Sequence, residues 1–154
     1  MSLALIEKFY VSFANSDAEG MISCYHDDVT FIDPAFGELK GDRAKAMWRM
    51  LLSNTDAGLT VHYFDITSNQ KTGEAKWLAK YFYGPKRRLV VNEVSASFTF
   101  KEGKIHTHTD DFDLWRWTRQ ALGLSGTFMG WSGYMRNKIQ ATTKARLDKF
   151  ISKS

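Results

Sequence analysis

The sequence predicts a single α+β domain in which helices come first and an antiparallel sheet follows them. Up to about residue 53 most apolar residues recur at the three- and four-residue spacing of helices, and from residue 59 they alternate as in strands. The turns between the later strands are short, as antiparallel neighbours require. Because no helix separates those strands, the alternating α/β class is excluded.

Three helices are predicted in the first third of the chain. The first carries an apolar stripe made of Leu3, Ile6, Phe9, Tyr10 and Phe13. Asp17 is the predicted N-cap of a short second helix. A strand over Val29–Asp33 follows, and Gly37 and Gly41 mark a loop before a third helix over Asp42–Ser53.

Four long strands and a helical extension are predicted after the third helix. The strands cover Leu59–Ser68, Glu74–Tyr83, Arg88–Lys101 and Lys104–Leu114. Beyond them Gly123, Gly126 and Gly130 punctuate a helical pattern. A long last helix is predicted from a stripe of Trp131, Met135, Ile139, Leu147 and Ile151. Residues 1–154 thus form one domain, with a core of about 3–114 and an extension of about 115–154.

Composition narrows the possible partners and the location. The one cysteine, Cys24, excludes an internal disulfide framework and fits a reducing, cytoplasmic compartment. No secretory leader opens the chain and no run reaches the ~20 apolar residues of a membrane span, so no membrane partner is expected. The net charge of +4 arises largely from basic residues beyond residue 114 at helical spacing, which indicates a solvated helix face and not a nucleic-acid site.

The strongest sign of a functional site lies on the last predicted strand. Its alternation places His106, His108, Asp110 and Phe112 on one face. Burying ionisable groups without partners costs several kcal/mol, so this set is expected to be paired or hydrated. The preceding strands offer mostly apolar inner faces, with the inward residues Trp77, Ala79, Tyr81, Tyr83, Asn92, Val94, Ala96 and Phe98.

The chain resembles the nuclear-transport-factor-2-like superfamily in the order of its first features. These are Phe9-Tyr10, then Asn15-Ser16-Asp17, then Gly20, and then the segment 25–34. The segment 25–34 reads Tyr-His-Asp-Asp-Val-Thr-Phe-Ile-Asp-Pro, and its pattern is similar to the ketosteroid-isomerase and SnoaL-like polyketide-cyclase branches. The tail from residue 115 to 123 is similar to a bacterial SnoaL-like subgroup. The resemblance implies a cone-shaped, strongly curved antiparallel sheet wrapped around the N-terminal helices, a pocket at its open end, and a homodimer.

The resemblance also implies roles for particular residues. Asp33 matches the proton-moving carboxylate of the isomerases, whereas Phe9 and Ala96 stand where the isomerases have oxyanion donors, which argues against steroid isomerisation. Asp110 fits the acid/base aspartate of the cyclases, with His108 on the same strand face. Asp33 and Asp110 also match the two carboxylates of epoxide-hydrolase relatives, although no inward arginine accompanies them. Alternatively, Asp33 only caps the turn that follows it.

The sequence therefore predicts a pocket for a small, mostly hydrophobic molecule and, within it, cofactor-independent isomerase, cyclase, hydratase or epoxide-hydrolase-like chemistry. Asp33 and Asp110 would move protons and His108 would relay them. The ligand-binding residues expected around them are Trp48, Trp77, Tyr81, Asn92, Val94, Phe98 and Phe112. A metal site at His106, His108 and Asp110 lacks a fourth ligand, so none is predicted. The alternative is a non-enzymatic ligand carrier or a dimeric interaction scaffold.

Overall fold

The computed structural model describes residues 2–123 and 133–154 and confirms the α+β class. The helices are α1 (Ser2–Ala14), α2 (Ala18–Ile22), α3 (Asp42–Ser53), α4 (Leu114–Leu122) and α5 (Gly133–Ser152). The strands are β1 (Tyr25–Asp33), β2 (Gly37–Lys40), β3 (Thr60–Ser68), β4 (Thr72–Tyr83), β5 (Arg88–Lys101) and β6 (Lys104–Asp111).

The six strands form one curved, unclosed sheet in the order β2-β1-β6-β5-β4-β3. The predicted meander from β3 to β6 is confirmed, with every neighbouring pair antiparallel. β1 lies beside β6 and runs parallel to it, so the sheet is mixed. A parallel pair needs a long crossover, which the chain from β2 to β5 supplies.

The N-terminal helices pack against this sheet. Ile6, Phe9, Tyr10 and Phe13 of α1 are buried, as their spacing predicts. Asp17 caps α2 by accepting the Gly20 N–H at 3.0 Å, which confirms the predicted N-cap. α1 contacts β3 and β4, whereas α3 contacts β1 and β2. The core therefore lies between these helices and the inward face of the sheet.

Several predicted boundaries were wrong. β1 begins at Tyr25 and not at Val29. The loop expected between Gly37 and Gly41 contains β2, which returns antiparallel to β1 because Gly37 adopts a φ of 70° and Leu39 is buried. The last strand ends at Asp111 and not at Leu114. Asp113 accepts the Arg116 N–H at 3.0 Å and is the N-cap of α4. The alternating pattern continued through Asp113, so the sequence did not reveal it as an N-cap.

A β-bulge changes which residues of β6 share a face. Phe98 pairs with His108 and Thr99 with Thr107, but Phe100 pairs with Ile105, which leaves His106 as an extra residue. Ile105 is consequently buried and His106 is only partly buried. The prediction that His106 shares the inner face with His108 was wrong, because strict alternation does not survive a bulge.

The helical extension packs onto the rest of the domain. Met135, Ile139 and Leu147 of α5 are buried, whereas Ile151 is 37% exposed. Trp131, Gly126 and Gly130 lie outside the described residues. In the two described segments, no helix combines the length and the hydropathy that crossing a membrane requires.

Candidate functional site

A cavity of about 770 Å³ opens between the inner face of the sheet and helices α3, α4 and α5. Asp33 at the end of β1 and Asp110 on β6 both line it. Of the predicted ligand-binding residues, five also lie on its surface: Trp48, Trp77, Tyr81, Asn92 and Phe112. This volume is within the range of sites for small organic ligands.

Val94 and Phe98 do not line this cavity, and their predicted contact with a ligand is corrected accordingly. Both face inward on β5, but they are only 1% and 2% exposed and belong to the packed core. Phe98 stacks at an angle on His108, with ring centroids 4.5 Å apart. Alternation correctly identified the face of the sheet, but it could not tell which inward residues stay uncovered.

Asp33 faces the cavity while it also holds the turn after β1. Its Oδ1 accepts the Phe36 N–H, as expected for a turn-capping aspartate. The pKa of Asp33 is raised to about 7, chiefly by burial and also by the negative charge of Asp110, while hydrogen bonds from the backbone at Phe36 and Ala35 oppose the shift. Asp33 can therefore cap the turn and present its carboxyl group to the cavity at the same time.

A chain of buried hydrogen bonds runs from Trp48 through Tyr25 and His108 to Asp110. Trp48 Nε1 lies 2.8 Å from Tyr25 Oη, Tyr25 Oη lies 2.8 Å from His108 Nδ1, and His108 Nε2 lies 2.8 Å from Asp110 Oδ1. The indole N–H can only donate, so Tyr25 accepts from it. For a neutral imidazole, Tyr25 then donates its hydroxyl proton to Nδ1, and His108 donates its Nε2 proton to Asp110.

Aromatic rings enclose His108 completely. Its ring centroid lies 5.3 Å from that of Phe9 and 5.0 Å from that of Phe31, and its exposure is 0%. His108 does not line the cavity, and its direct hydrogen bond to a cavity residue is the one with Asp110. Phe9 forms part of this apolar enclosure.

The sequence did not reveal Tyr25 as part of the site. Tyr25 is the first residue of β1 and is only 4% exposed, and its hydroxyl joins α3 to β6. A buried tyrosine needs a partner for its hydroxyl, but only the fold shows that His108 is that partner. Thr143 and Arg146 of α5 line the cavity too, so the helical extension is part of the site.

Tyr81 supplies a hydroxyl group to the cavity that Asp33 and Asp110 also line. Tyr81 accepts a hydrogen bond from Trp117 Nε1 at 2.6 Å, and its own hydroxyl proton stays available to a second acceptor. Burial raises the pKa of Tyr81 to about 12, so it is a neutral donor at physiological pH. Trp77 Nε1 is a buried donor without a hydrogen-bond partner.

The alternative of a metal site at His106, His108 and Asp110 was wrong. The bulge turns His106 away, and its ring packs against His26 with centroids 5.6 Å apart. No group of three metal-ligating side chains occurs anywhere in residues 2–123 and 133–154. The cavity surface carries carboxylates, tyrosines and amides, and it also carries the arginines Arg87 and Arg146. The expectation that no arginine accompanies the carboxylates was therefore wrong.

The sequence and the fold both match known proteins. A family model described as a SnoaL-like domain matches residues 6–108. An LEH-like epoxide hydrolase of M. tuberculosis is 20% identical to this chain with a TM-score of 0.65, and the match covers 82% of this chain and 93% of the hydrolase. TsrD from Streptomyces laurentii is 19% identical with a TM-score of 0.66, covering 79% and 94%.

SalBIII, an epoxide hydrolase/cyclase-like enzyme of pyran ring formation in the polyether salinomycin, is also similar. It is 17% identical with a TM-score of 0.61, and the match covers 72% of this chain and 89% of SalBIII. No curated protein matches the sequence. At these identities the solved structures establish the fold and not the activity.

Proposed function

The chain belongs to the SnoaL-like domain family, and we propose that it is a cofactor-independent acid–base enzyme acting on a small, mostly apolar ketone or epoxide. The observation that carries this proposal is that the carboxyl groups of Asp33 and Asp110 line the same mostly apolar cavity. The surroundings of these two groups are unlike. Asp33 has a raised pKa, whereas Asp110 accepts a hydrogen bond from His108. Two titratable groups with unlike environments are the usual basis of an acid–base pair.

In the proposed reaction Asp33 is the acid and Asp110 is the base. Asp110 takes the proton of a hydroxyl group or of an acidic C–H of the substrate as a new bond forms at the electrophilic carbon. Asp33 gives its proton to the carbonyl or epoxide oxygen. The electron pair of the carbon–oxygen bond that opens moves onto that oxygen. The two carboxyl groups thereby exchange protonation states, and transfer through solvent restores them.

Proton transfer at Asp110 is supported by the hydrogen-bonded chain behind it. His108 donates to one oxygen of Asp110 and fixes the orientation of the carboxylate, while Tyr25 fixes the imidazole. A base held in one orientation loses less entropy on the way to the transition state. Tyr81 and Asn92 supply the polar contacts that would orient the substrate oxygen.

The alternative of a dimeric scaffold without a ligand is less well supported. A scaffold gains stability by filling its interior, whereas this chain leaves about 770 Å³ open and places two carboxyl groups on the surface of that space. The non-enzymatic carrier is the second candidate function, because an open, mostly apolar cavity would also suit binding alone.

Turnover measurements on panels of ring-containing ketones and epoxides test the proposal. Ligands are first selected by the rise that they cause in the thermal unfolding midpoint. We expect Asp33→Asn and Asp110→Asn to lower kcat at least roughly a hundredfold, the usual contribution of a general acid or base, while binding persists. Matched controls are Asp28→Asn and Asp111→Asn, exposed residues of the same two strands.

The outcomes separate the enzyme from the carrier. Ligands that bind without any turnover would identify a carrier. Turnover that both cavity variants leave unchanged would show that these carboxyl groups do not perform the chemistry, and the proposed mechanism would be abandoned.

A further inference from the structure

We propose that a second site, separate from the cavity, binds a phosphate-class oxyanion in a groove between the β4–β5 hairpin and α4. We call it the basic groove, and its cationic residues are Lys86, Arg88, Arg116 and Arg119. Leu89 and Gln120 complete its lining. The inference does not depend on the proposed acid–base chemistry.

The basic groove concentrates positive charge that has no internal partner. None of the salt bridges found in the described part of the chain reaches any of its four cationic side chains. Arg119 Nε is in addition a buried donor without a hydrogen-bond partner. Four unpaired cations around one depression repel each other, and an oxyanion with more than one charge would relieve that repulsion.

Two of the three arginines of the groove, Arg88 and Arg119, are held in place before any anion arrives. Arg88 Nε donates to the Gln120 carbonyl at 2.8 Å. This hydrogen bond does not use the two terminal amino groups of Arg88. The Arg119 guanidinium lies 4.3 Å from the centroid of the Trp115 ring, an attractive cation–π arrangement. Held guanidinium groups lose little further entropy on binding, and their planar donors suit phosphate oxygens.

The two sides of the groove are also fixed to each other. Gln120 of α4 accepts the Val91 N–H at 2.7 Å and donates to the Val91 carbonyl at 3.1 Å. This pair of hydrogen bonds joins α4 to β5 where the groove lies. The cations of the helix and of the strand therefore keep a constant separation, as a site of defined size requires.

The groove and the cavity lie on opposite sides of the same elements. Along the hairpin, Pro85 and Arg87 line the cavity, whereas Lys86 and Arg88 line the groove. On α4, Trp117 lines the cavity and Arg116 lines the groove. An anion in the groove would therefore contact the outer side of the elements that bound the cavity.

Calorimetric titration of the whole chain with inorganic phosphate, pyrophosphate and phenyl phosphate, at low ionic strength, tests the site. We expect saturable binding with one anion per chain, and pyrophosphate should bind more tightly than phosphate because it carries more charge. Free phosphate and the phosphate of an organic ester share this chemistry, and tighter binding of phenyl phosphate than of phosphate would identify the ester as the source.

Arg116→Gln/Arg119→Gln should weaken pyrophosphate binding at least roughly tenfold, since each lost charged hydrogen bond contributes about that factor. The control is Arg136→Gln/Lys138→Gln on α5, which removes the same net charge from exposed positions outside the groove. Because Arg119 is partly buried, the single variant Arg116→Gln is measured as well. Absence of saturable binding to the native chain, or equal weakening in both double variants, would overturn the proposal.

Discussion

Asp33 faces the cavity and accepts the Phe36 N–H, so one carboxyl group both stabilises a turn and can exchange a proton. An uncharged acid in that position still accepts the backbone hydrogen bond through its carbonyl oxygen. Raising its pKa to about 7 therefore does not remove its structural role. The residue is ready to act as an acid near neutral pH without any loss of the turn.

The raised pKa of Asp33 makes a pH-dependent contribution to stability. Its pKa of about 7 in the folded chain exceeds its unfolded value, so between those values the folded state holds a proton that the unfolded state has lost. Stability from this group is present below the unfolded pKa and is lost as pH rises through about 7. Asp33→Asn should thus gain stability relative to the native chain as pH rises, by on the order of 1–3 kcal/mol from about pH 5 to about pH 8.

Urea unfolding of both proteins at several pH values measures this difference. Asp28→Asn, at an exposed position of the same strand, is the control and should show a difference that changes little with pH. A pH-independent difference for Asp33→Asn would mean that its carboxyl group is not perturbed.

Tyr25 is expected to act as a positioning residue for His108. Tyr25→Phe leaves the Trp48 N–H and His108 Nδ1 without their partner in a buried region. We expect a loss of stability of about 1–3 kcal/mol, the usual cost of an unsatisfied buried group. Tyr134→Phe is the control, because Tyr134 is 69% exposed.

A purely structural role of Tyr25 and a positioning role differ in their effect on the reaction. If Tyr25 orients the imidazole that supports Asp110, Tyr25→Phe should shift the pH profile of kcat on any substrate found, whereas KM should change little. A stability loss with an unchanged pH profile would limit Tyr25 to a structural role.

Among the elements, β6 shows best what periodicity can and cannot predict. Its start and its place in the meander follow from alternation, and so does the inward direction of His108 and Asp110. The bulge at His106 depends on how β6 fits against β5, and no local pattern encodes it. β2 was missed for a related reason, since a strand of four residues is too short to show a period.

α5 holds the turn that carries Asp33. Thr143 Oγ1 donates to the Ala35 carbonyl at 2.7 Å, and Gln140 Nε2 donates to the Pro34 carbonyl at 3.1 Å. Thr143→Val keeps the shape of the side chain but removes its hydroxyl, so it should destabilise the chain by about 1 kcal/mol. Thr142→Val is a matched control, since Thr142 is the exposed neighbour and bonds only within the helix.

Unfolding midpoints in urea compare these two variants. Equal losses would show that the contact with the Ala35 carbonyl contributes nothing and that valine only disfavours the helix. A larger loss for Thr143→Val would show that α5 supports the Asp33 turn.

For the molecule as a whole, the sequence was sufficient to predict the class, the meander and the inward position of both carboxyl groups. It was not sufficient to predict how the cavity closes. The hydrogen-bonded chain through Tyr25 joins residues 83 positions apart, and α5 reaches the Pro34-Ala35 turn across more than 100 positions. Such contacts follow from the assembled fold, because their geometry depends on packing between elements and not on local periodicity.

The extension beyond β6 is expected to unfold together with the rest of the domain. Leu147 of α5 is completely buried, and α4 and α5 both contribute residues to the cavity surface. Leu147→Ala should therefore lower the stability of the whole chain by about 2–5 kcal/mol, as expected for a large-to-small change in a core. Ile151→Ala, at a position 37% exposed on the same helix, should cost much less.

Thermal unfolding followed by tryptophan fluorescence and by far-ultraviolet circular dichroism shows whether this is one transition. Trp48 and Trp77 report on the interior around α3 and β4 and Trp115 and Trp117 report on α4, whereas circular dichroism reports mainly on the helices. A single cooperative unit requires that both signals change at one midpoint and that Leu147→Ala lowers that midpoint in both.

If α5 were a separate appendage, Leu147→Ala would lower only the midpoint of the circular dichroism signal and leave the tryptophan midpoint unchanged. The cavity would then be bounded by the sheet, α3 and α4 alone, and the positions of Thr143 and Arg146 on its surface would not matter for binding.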